Sequence, residues 1–284
     1  MTDKWEELEN KCHKYLLDIY GNYHKIEAFG KSDSTKADIK VITATNNEFF
    51  IEVKSKNSQC CQFVLFPNDE TKEFDFSKKN KVPFLDSCKK ITKYMSTSYT
   101  KYSKVNKKGI SININDSVLY DLVKDYYSKK NVKFFMTENT DIIIFPLEKF
   151  SDYFDIEAIY RKKGSGSSEP CEKNNHSEIL QGLSDENLLG TIEYENVGNK
   201  RRCFIHSDTF LHKKKIMCEN YTYQFKDNKY SKTIAKTKQY VFEVRRLSNT
   251  NNPNVICELS LKKQTQNPND LHSFEEIMKI QKED

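Results

Sequence analysis

Residues 49–56 read FFIEVKSK, an apolar run that carries a carboxylate, Glu52, and an amine, Lys54, two residues apart. On a strand, side chains alternate between faces. Phe49, Ile51 and Val53 then share one face, and Phe50, Glu52 and Lys54 share the other. Glu52 and Lys54 project together, about 7 Å apart along the strand. A second apolar run, DIKVI (38–42), precedes this one, and the TATNNE between them holds Asn46-Asn47, a plausible turn. The pair reads as a β-hairpin that can bring Asp38 across from Glu52. Asp38, Glu52 and Lys54 then converge at one sheet edge.

The surroundings alternate helices with short apolar strands. Trp5, Leu8, Cys12, Leu16 and Ile19 fall on one face of a helix over 4–20, and Gly21 stops it. A strand is expected at 22–28 and an extended apolar run at 59–66, with a polar loop over 68–82. A helix carrying Phe84, Cys88, Ile91, Met95, Tyr99 and Tyr102 follows, then another over 116–128. VKFFM and DIIIF read as strands around TENT. This order predicts an α/β domain, a mixed central sheet flanked by helices, over residues 1–165. RKKGSGSSEPCEKNNHS (161–177) reads as a linker or exposed loop, taken as 166–178 in the domain division. Beyond it, over 179–284, short β-type runs from TIEYE to VICELSL predict a smaller, basic, β-rich region closed by a terminal helix.

Composition narrows the classes. With 37% hydrophobic and 31% charged residues among 284, a sizeable core lies beneath a heavily charged surface, and scarce glycine and proline argue against a fibrous or disordered chain. No apolar run reaches eighteen residues, so no membrane-spanning helix is expected. The charged, amphipathic N-terminus has no signal-peptide core, so the cytoplasm is the expected location. The eight cysteines form no C-x-x-C pair, so zinc has no support and reduced, mostly buried thiols are expected.

Two carboxylates beside a lysine suit Mg²⁺, which takes oxygen ligands, keeps several waters and is gripped by one or two carboxylates plus a substrate phosphate. The metal acidifies a water and offsets phosphate charge, while a lysine orients or deprotonates the attacking water. Phosphodiester hydrolysis is the reaction such a group serves. The competing reading is a surface ion pair on an edge strand. Acid-x-Lys recurs at Glu70-x-Lys72 and Asp227-x-Lys229, but only Glu52-x-Lys54 stands in an apolar run with an acid-bearing strand before it.

The Ala37-Asp38 pair, followed by Glu52-Val53-Lys54, resembles the PD-(D/E)xK nuclease superfamily, with Ala37 where the motif has proline. SQCCQF just after it resembles the glutamine-bearing segment of type II restriction endonucleases. The resemblance covers residues 5–67 and extends toward 168. It implies that Asp38 and Glu52 bind the metal, that Lys54 activates water and that Gln62 stands near the site, with Gln59 as the competing glutamine. It also implies a first-helix glutamate near the metal; of Glu6, Glu7 and Glu9, Glu9 lies nearest the apolar stripe. The implied activity is Mg²⁺-dependent, sequence-specific cleavage of double-stranded DNA by a homodimer. The rivals are a repair or junction-resolving nuclease of the same superfamily, and a DNA-binding protein with a degenerate nuclease fold.

The net charge of +5 hints only weakly at a polyanion, but its distribution says more. Residues 200–246 carry thirteen lysines and arginines against four acids, with aromatics among them. Lys200, Arg201, Arg202, Lys213, Lys214, Lys215, Arg245 and Arg246 are therefore expected to meet phosphates. Arg161, Lys162 and Lys163, beside two glycines, are a second such group. The alternative is a solvated charged face over an aromatic core.

Overall fold

The computed structural model describes residues 4–30, 36–164, 166–198, 200–227 and 240–279. The chain forms two compact units: Met1–Lys162 with Pro253–Asp284, and Lys163–Asn252. The second is thus an insertion in the sequence of the first. The first holds α1 (Lys4–Tyr20), β1 (Lys25–Ala28), β2 (Ile39–Ile42), β3 (Glu48–Val53), β4 (Asn57–Asn68), β5 (Glu73–Phe76), α2 (Asp86–Thr97) and α3 (Tyr99–Tyr102). It continues through β6 (Ile110–Ser111), α4 (Asp116–Ser128), β7 (Val132–Glu138), β8 (Ile142–Pro146), α5 (Phe150–Tyr153) and β9 (Phe154–Gly164). The second holds β10 (Ser168–Pro170), α6 (His176–Asp185), β11 (Thr191–Val197), β12 (Lys200–Ser207), β13 (Lys215–Met217), β14 (Thr222–Asp227) and β15 (Tyr240–Leu247). The chain then returns along β16 (Asn251–Leu261) and closes with α7 (Pro268–Ile277).

The central sheet has the order β1-β2-β3-β7-β8. It is mixed: β3 and β7 are parallel, with α4 leading into β7, and the other pairs are antiparallel. The β2–β3 turn forms at the predicted place, with Asn46 at φ +61°, a conformation asparagine tolerates well. One face of β3 presents Phe49, Ile51 and Val53 to a core built with Cys12 and Leu16 of α1, Phe134 and Met136 of β7, and Phe274 of α7. Phe134 and Phe274 meet edge to face with centroids 5.1 Å apart, a favourable aromatic geometry. The other face looks toward a larger core, which includes Phe135, Leu122, Tyr127 and residues of a second sheet ordered β5-β4-β16-β9-β6.

Three boundaries differ from the expectation. Residues 253–279 do not continue the β-rich region. β16 pairs with β4, and α7 buries Phe274 beside α1. His24 accepts the Ala44 N–H at Nδ1 (3.0 Å), so its Nε2 carries the proton and donates to the Met278 carbonyl (2.9 Å). Long-range pairing and core burial, which local composition does not encode, draw this segment back. The expected loop at 68–82 contains β5, which pairs with β4. The polar 161–177 stretch is not a linker: β9 runs through Gly164, β10 pairs with β15, and α6 begins at His176.

The second unit builds one antiparallel sheet, ordered β11-β12-β15-β14-β13 with β10 on β15. Its core packs Ile179 and Leu183 of α6 on Ile205, Tyr223, Phe225, Phe242 and Val244. All eight thiols are free, six of them buried. No helix among the described residues is long and apolar enough to cross a membrane.

Candidate active site

The hairpin register sets Ile39 opposite Ile51, which leaves Asp38, one residue back, beside Glu52. Asp38 lies just before β2, and its Oδ2 accepts the Val53 N–H at 2.7 Å. That bond locks the aspartate to the site strand. Lys54 follows β3, held by its own N–H donating to the Met136 carbonyl (2.9 Å). Its Nζ donates to Glu52 Oε1 at 2.6 Å. The structure therefore brings Asp38, Glu52 and Lys54 together.

Glu52 is only 5% exposed, and its Oε2 is buried with no hydrogen-bond partner. A buried carboxylate oxygen left bare carries a substantial desolvation penalty, of order 1–3 kcal/mol or more. Burial, with the charge of Glu52 behind it, pushes Asp38 up to about 7. Burial and then the charge of Asp38 push Glu9, on α1, up to about 8, with Lys54 opposing and Glu52 reinforcing. Burial lowers the Lys54 ammonium, but Glu52 and Asp38 outweigh it and hold it above the ordinary lysine range. The cluster thus concentrates more negative charge than its lysine offsets. A divalent cation would offset that imbalance, and the bare Oε2 could ligate it. Among the described residues no three His, Cys, Asp or Glu side chains group as a metal cage.

Gln62 lies on the exposed face of β4, between buried Cys61 and Phe63. Gln59, on the same strand, donates to Glu258 Oε1 at 3.3 Å. Two residues absent from the sequence-based set also reach this region. The Lys54 Nζ sits 5.7 Å from the ring centroid of Tyr127, whose hydroxyl donates to the Cys60 carbonyl at 3.3 Å. Lys130 places its Nζ 5.3 Å from the same centroid and 4.3 Å from that of Tyr126. Neither had a sequence signal: Tyr127 reads as one more apolar position of a helix, and Lys130 as one lysine in a lysine-rich chain.

No protein-family model matches the chain, and no curated protein matches it. Among solved structures, an HhaI endonuclease in complex with DNA is similar, at 35% sequence identity and a TM-score of 0.79, over 97% of this chain and 99% of that one. Similarity at that identity, across nearly the whole of both chains, reaches well past a shared fold. The chain belongs to the type II restriction endonucleases.

The basic residues of this restriction endonuclease divide into two groups. In the second unit, Arg202 and Arg245 each donate to Glu243 Oε1 at 2.8 Å, and Arg245 also reaches the Ser168 carbonyl at 2.6 Å. Arg246 pairs with Glu169 at 2.8 Å and lies 4.5 Å from the Tyr221 centroid. These three arginines are engaged within the unit. Arg201 is exposed, 5.4 Å from the Tyr194 centroid. Lys213, Lys214 and Lys215 are exposed, with Lys214 3.7 Å from Glu186. The Lys200 side chain and Tyr230 lie outside the described residues. Of the aromatics, Phe204, Tyr223, Phe225 and Phe242 are core, while Phe210 and Tyr240 are exposed. In the first unit, Arg161 pairs with Glu258 at 3.5 Å, Lys162 is exposed and its N–H donates to the Asn106 carbonyl. Lys163, half-exposed, opens the second unit.

Proposed function

We propose that this restriction endonuclease hydrolyses phosphodiester bonds of double-stranded DNA at a defined sequence, with Mg²⁺. The observation that carries the reading is the Asp38–Glu52–Lys54 cluster, its glutamate buried with one oxygen unbonded, on a chain whose solved relative is a DNA-bound endonuclease. Asp38 and Glu52 would hold the ion. Bound Mg²⁺ supplies Lewis acidity, acidifying a water and offsetting phosphate charge. The protein's own part is positional and electrostatic. The Val53 N–H fixes the aspartate. Lys54, kept charged by its carboxylate neighbours, orients the attacking water and meets the charge that grows on the phosphoryl oxygens. Water attacks phosphorus as the ester P–O bond breaks, and the departing oxygen takes a proton. Glu9, on α1, stands within electrostatic reach of Asp38, Lys54 and Glu52. The exposed cations Arg201, Lys213, Lys214 and Lys215 are suited to phosphates, and the engaged Arg202, Arg245 and Arg246 to holding the sheet that presents them.

Digestion of a plasmid of known sequence, with Mg²⁺ or with EDTA, tests this. Discrete fragments with Mg²⁺ and intact plasmid with EDTA are expected. Intact plasmid in both would refute the enzyme reading, and random degradation would refute the sequence specificity.

A further inference from the structure

We infer that Lys130 is a second cation of the active site, contacting the scissile phosphate opposite Lys54; this rests on the nuclease reading above. The argument begins with the chain around it. α4 is capped at its start by the Asn115 side chain, which accepts the Ser117 N–H, and the helix delivers Tyr126 and Tyr127 in its last turn. Asn131 then adopts φ +55° and ends the helical path. It bonds directly to the site strand: the Phe50 N–H donates to the Asn131 carbonyl (3.1 Å), and the Asn131 side chain donates to the Glu48 carbonyl (3.2 Å). Lys130 is therefore tied, one residue away, to the strand that carries Glu52.

Its side chain is held as firmly. The ammonium lies over both tyrosine rings, and the Tyr127 ring also carries Lys54. Cation–π contacts of this kind hold an ammonium in place without neutralising it. Burial lowers the Lys130 ammonium below the ordinary lysine range and Lys54 adds to that, while the charges of Glu52 and Asp38 oppose it. An elementary charge count explains the need. Two ligand carboxylates face one divalent ion, and a phosphodiester under attack by hydroxide adds two further negative charges. Lys54, already bonded to Glu52, offsets one. A second ammonium on the same aromatic platform offsets the other, where charge develops.

Lys130→Met tests the contact, because it retains the aliphatic stem that covers the tyrosines and removes only the charge. Single-turnover cleavage is measured with saturating Mg²⁺ on a duplex carrying the cut site mapped with wild-type protein. K130M should be at least about tenfold slower, with an unchanged melting temperature, and Lys130→Arg should recover most of the rate. Binding of the same duplex with Ca²⁺ in place of Mg²⁺ should show a salt slope lower by about 0.9 in K130M, the signature of one lost phosphate contact. Should K130M not fold, Lys130→Gln reads the same contact. Cleavage by K130M at the wild-type rate with an unchanged salt slope overturns the inference and leaves the nuclease reading intact. Failure of the wild-type protein to cut refutes the nuclease reading itself.

Discussion

Each unit buries one glutamate among cations, and the two are handled in opposite ways. Glu243, in the second unit, is 6% exposed and takes two guanidinium bonds on one oxygen. Glu52, in the first, is 5% exposed, takes one bond from Lys54 and leaves its other oxygen bare. A buried charge is tolerable when paired and hydrogen-bonded, and expensive when not. Glu243 follows that rule and fastens β12 to β15. Glu52 departs from it, and so do its neighbours, since Asp38 and Glu9 are both pushed far above the ordinary carboxylate range. The departure is what the proposed chemistry would call for, while the satisfied cluster holds two strands together. Nearly equal burial therefore predicts different consequences when each glutamate is changed.

The sharpest way to break this contrast is Glu52→Gln. Cleavage should fall by roughly 10³-fold or more, as expected for loss of a metal-binding carboxylate, while the melting temperature holds or rises. A variant that cuts normally would remove Glu52 from the site. The mirror experiment is Glu243→Ala, which takes the shared carboxylate from two part-buried guanidiniums and should cost about 1–3 kcal/mol of stability. Denaturant unfolding monitored by circular dichroism measures this. An unaltered midpoint would show that the arginine pairs contribute nothing to the sheet. The smallest effect is on pH. Asp38, at about 7 against an ordinary 3.8, and Glu9, at about 8 against 4.5, bind protons more tightly in the folded chain than in the unfolded one. Stability of the EDTA-treated protein should therefore be highest below pH 4 to 5, as far as these two groups govern it, and fall as pH rises toward 7 to 8. Mg²⁺, which favours the ionised carboxylates, should raise the melting temperature more at pH 8 than at pH 5. Asp38→Asn should lessen the EDTA slope and leave the part that Glu9 carries; an unchanged slope would assign the Asp38 part of the titration elsewhere.

The cluster was legible in the sequence because its three members sit on one hairpin, where period-two alternation and a short turn fix their faces. The helices at α1 and α4 were legible for the same local reason. The rest depended on distant partners. Nothing in VICELSL says that it pairs with QCCQF almost two hundred positions earlier, so β16 reads as part of the β-rich region. Arg202 and Arg201 are adjacent and alike in sequence, yet one is committed to Glu243 and the other is exposed. Only the β12–β15 register, which sets Phe204 opposite Glu243, distinguishes them. Lys130 is a similar case: its place depends on how Asn131 meets β3, a contact across more than eighty residues.

The strands on either side of the insertion are neighbours in one sheet. β9 carries the chain out of the first unit and β16 brings it back, side by side in the order β4-β16-β9. The departure and return points are therefore anchored to each other by the host, whatever lies between them. For evolution or for an engineer, the segment 163–252 is an exchangeable cassette. It can be lengthened, shortened or replaced without rethreading the sheet that carries Asp38 and Glu52, because the entropy of closing that loop is already met by strand pairing.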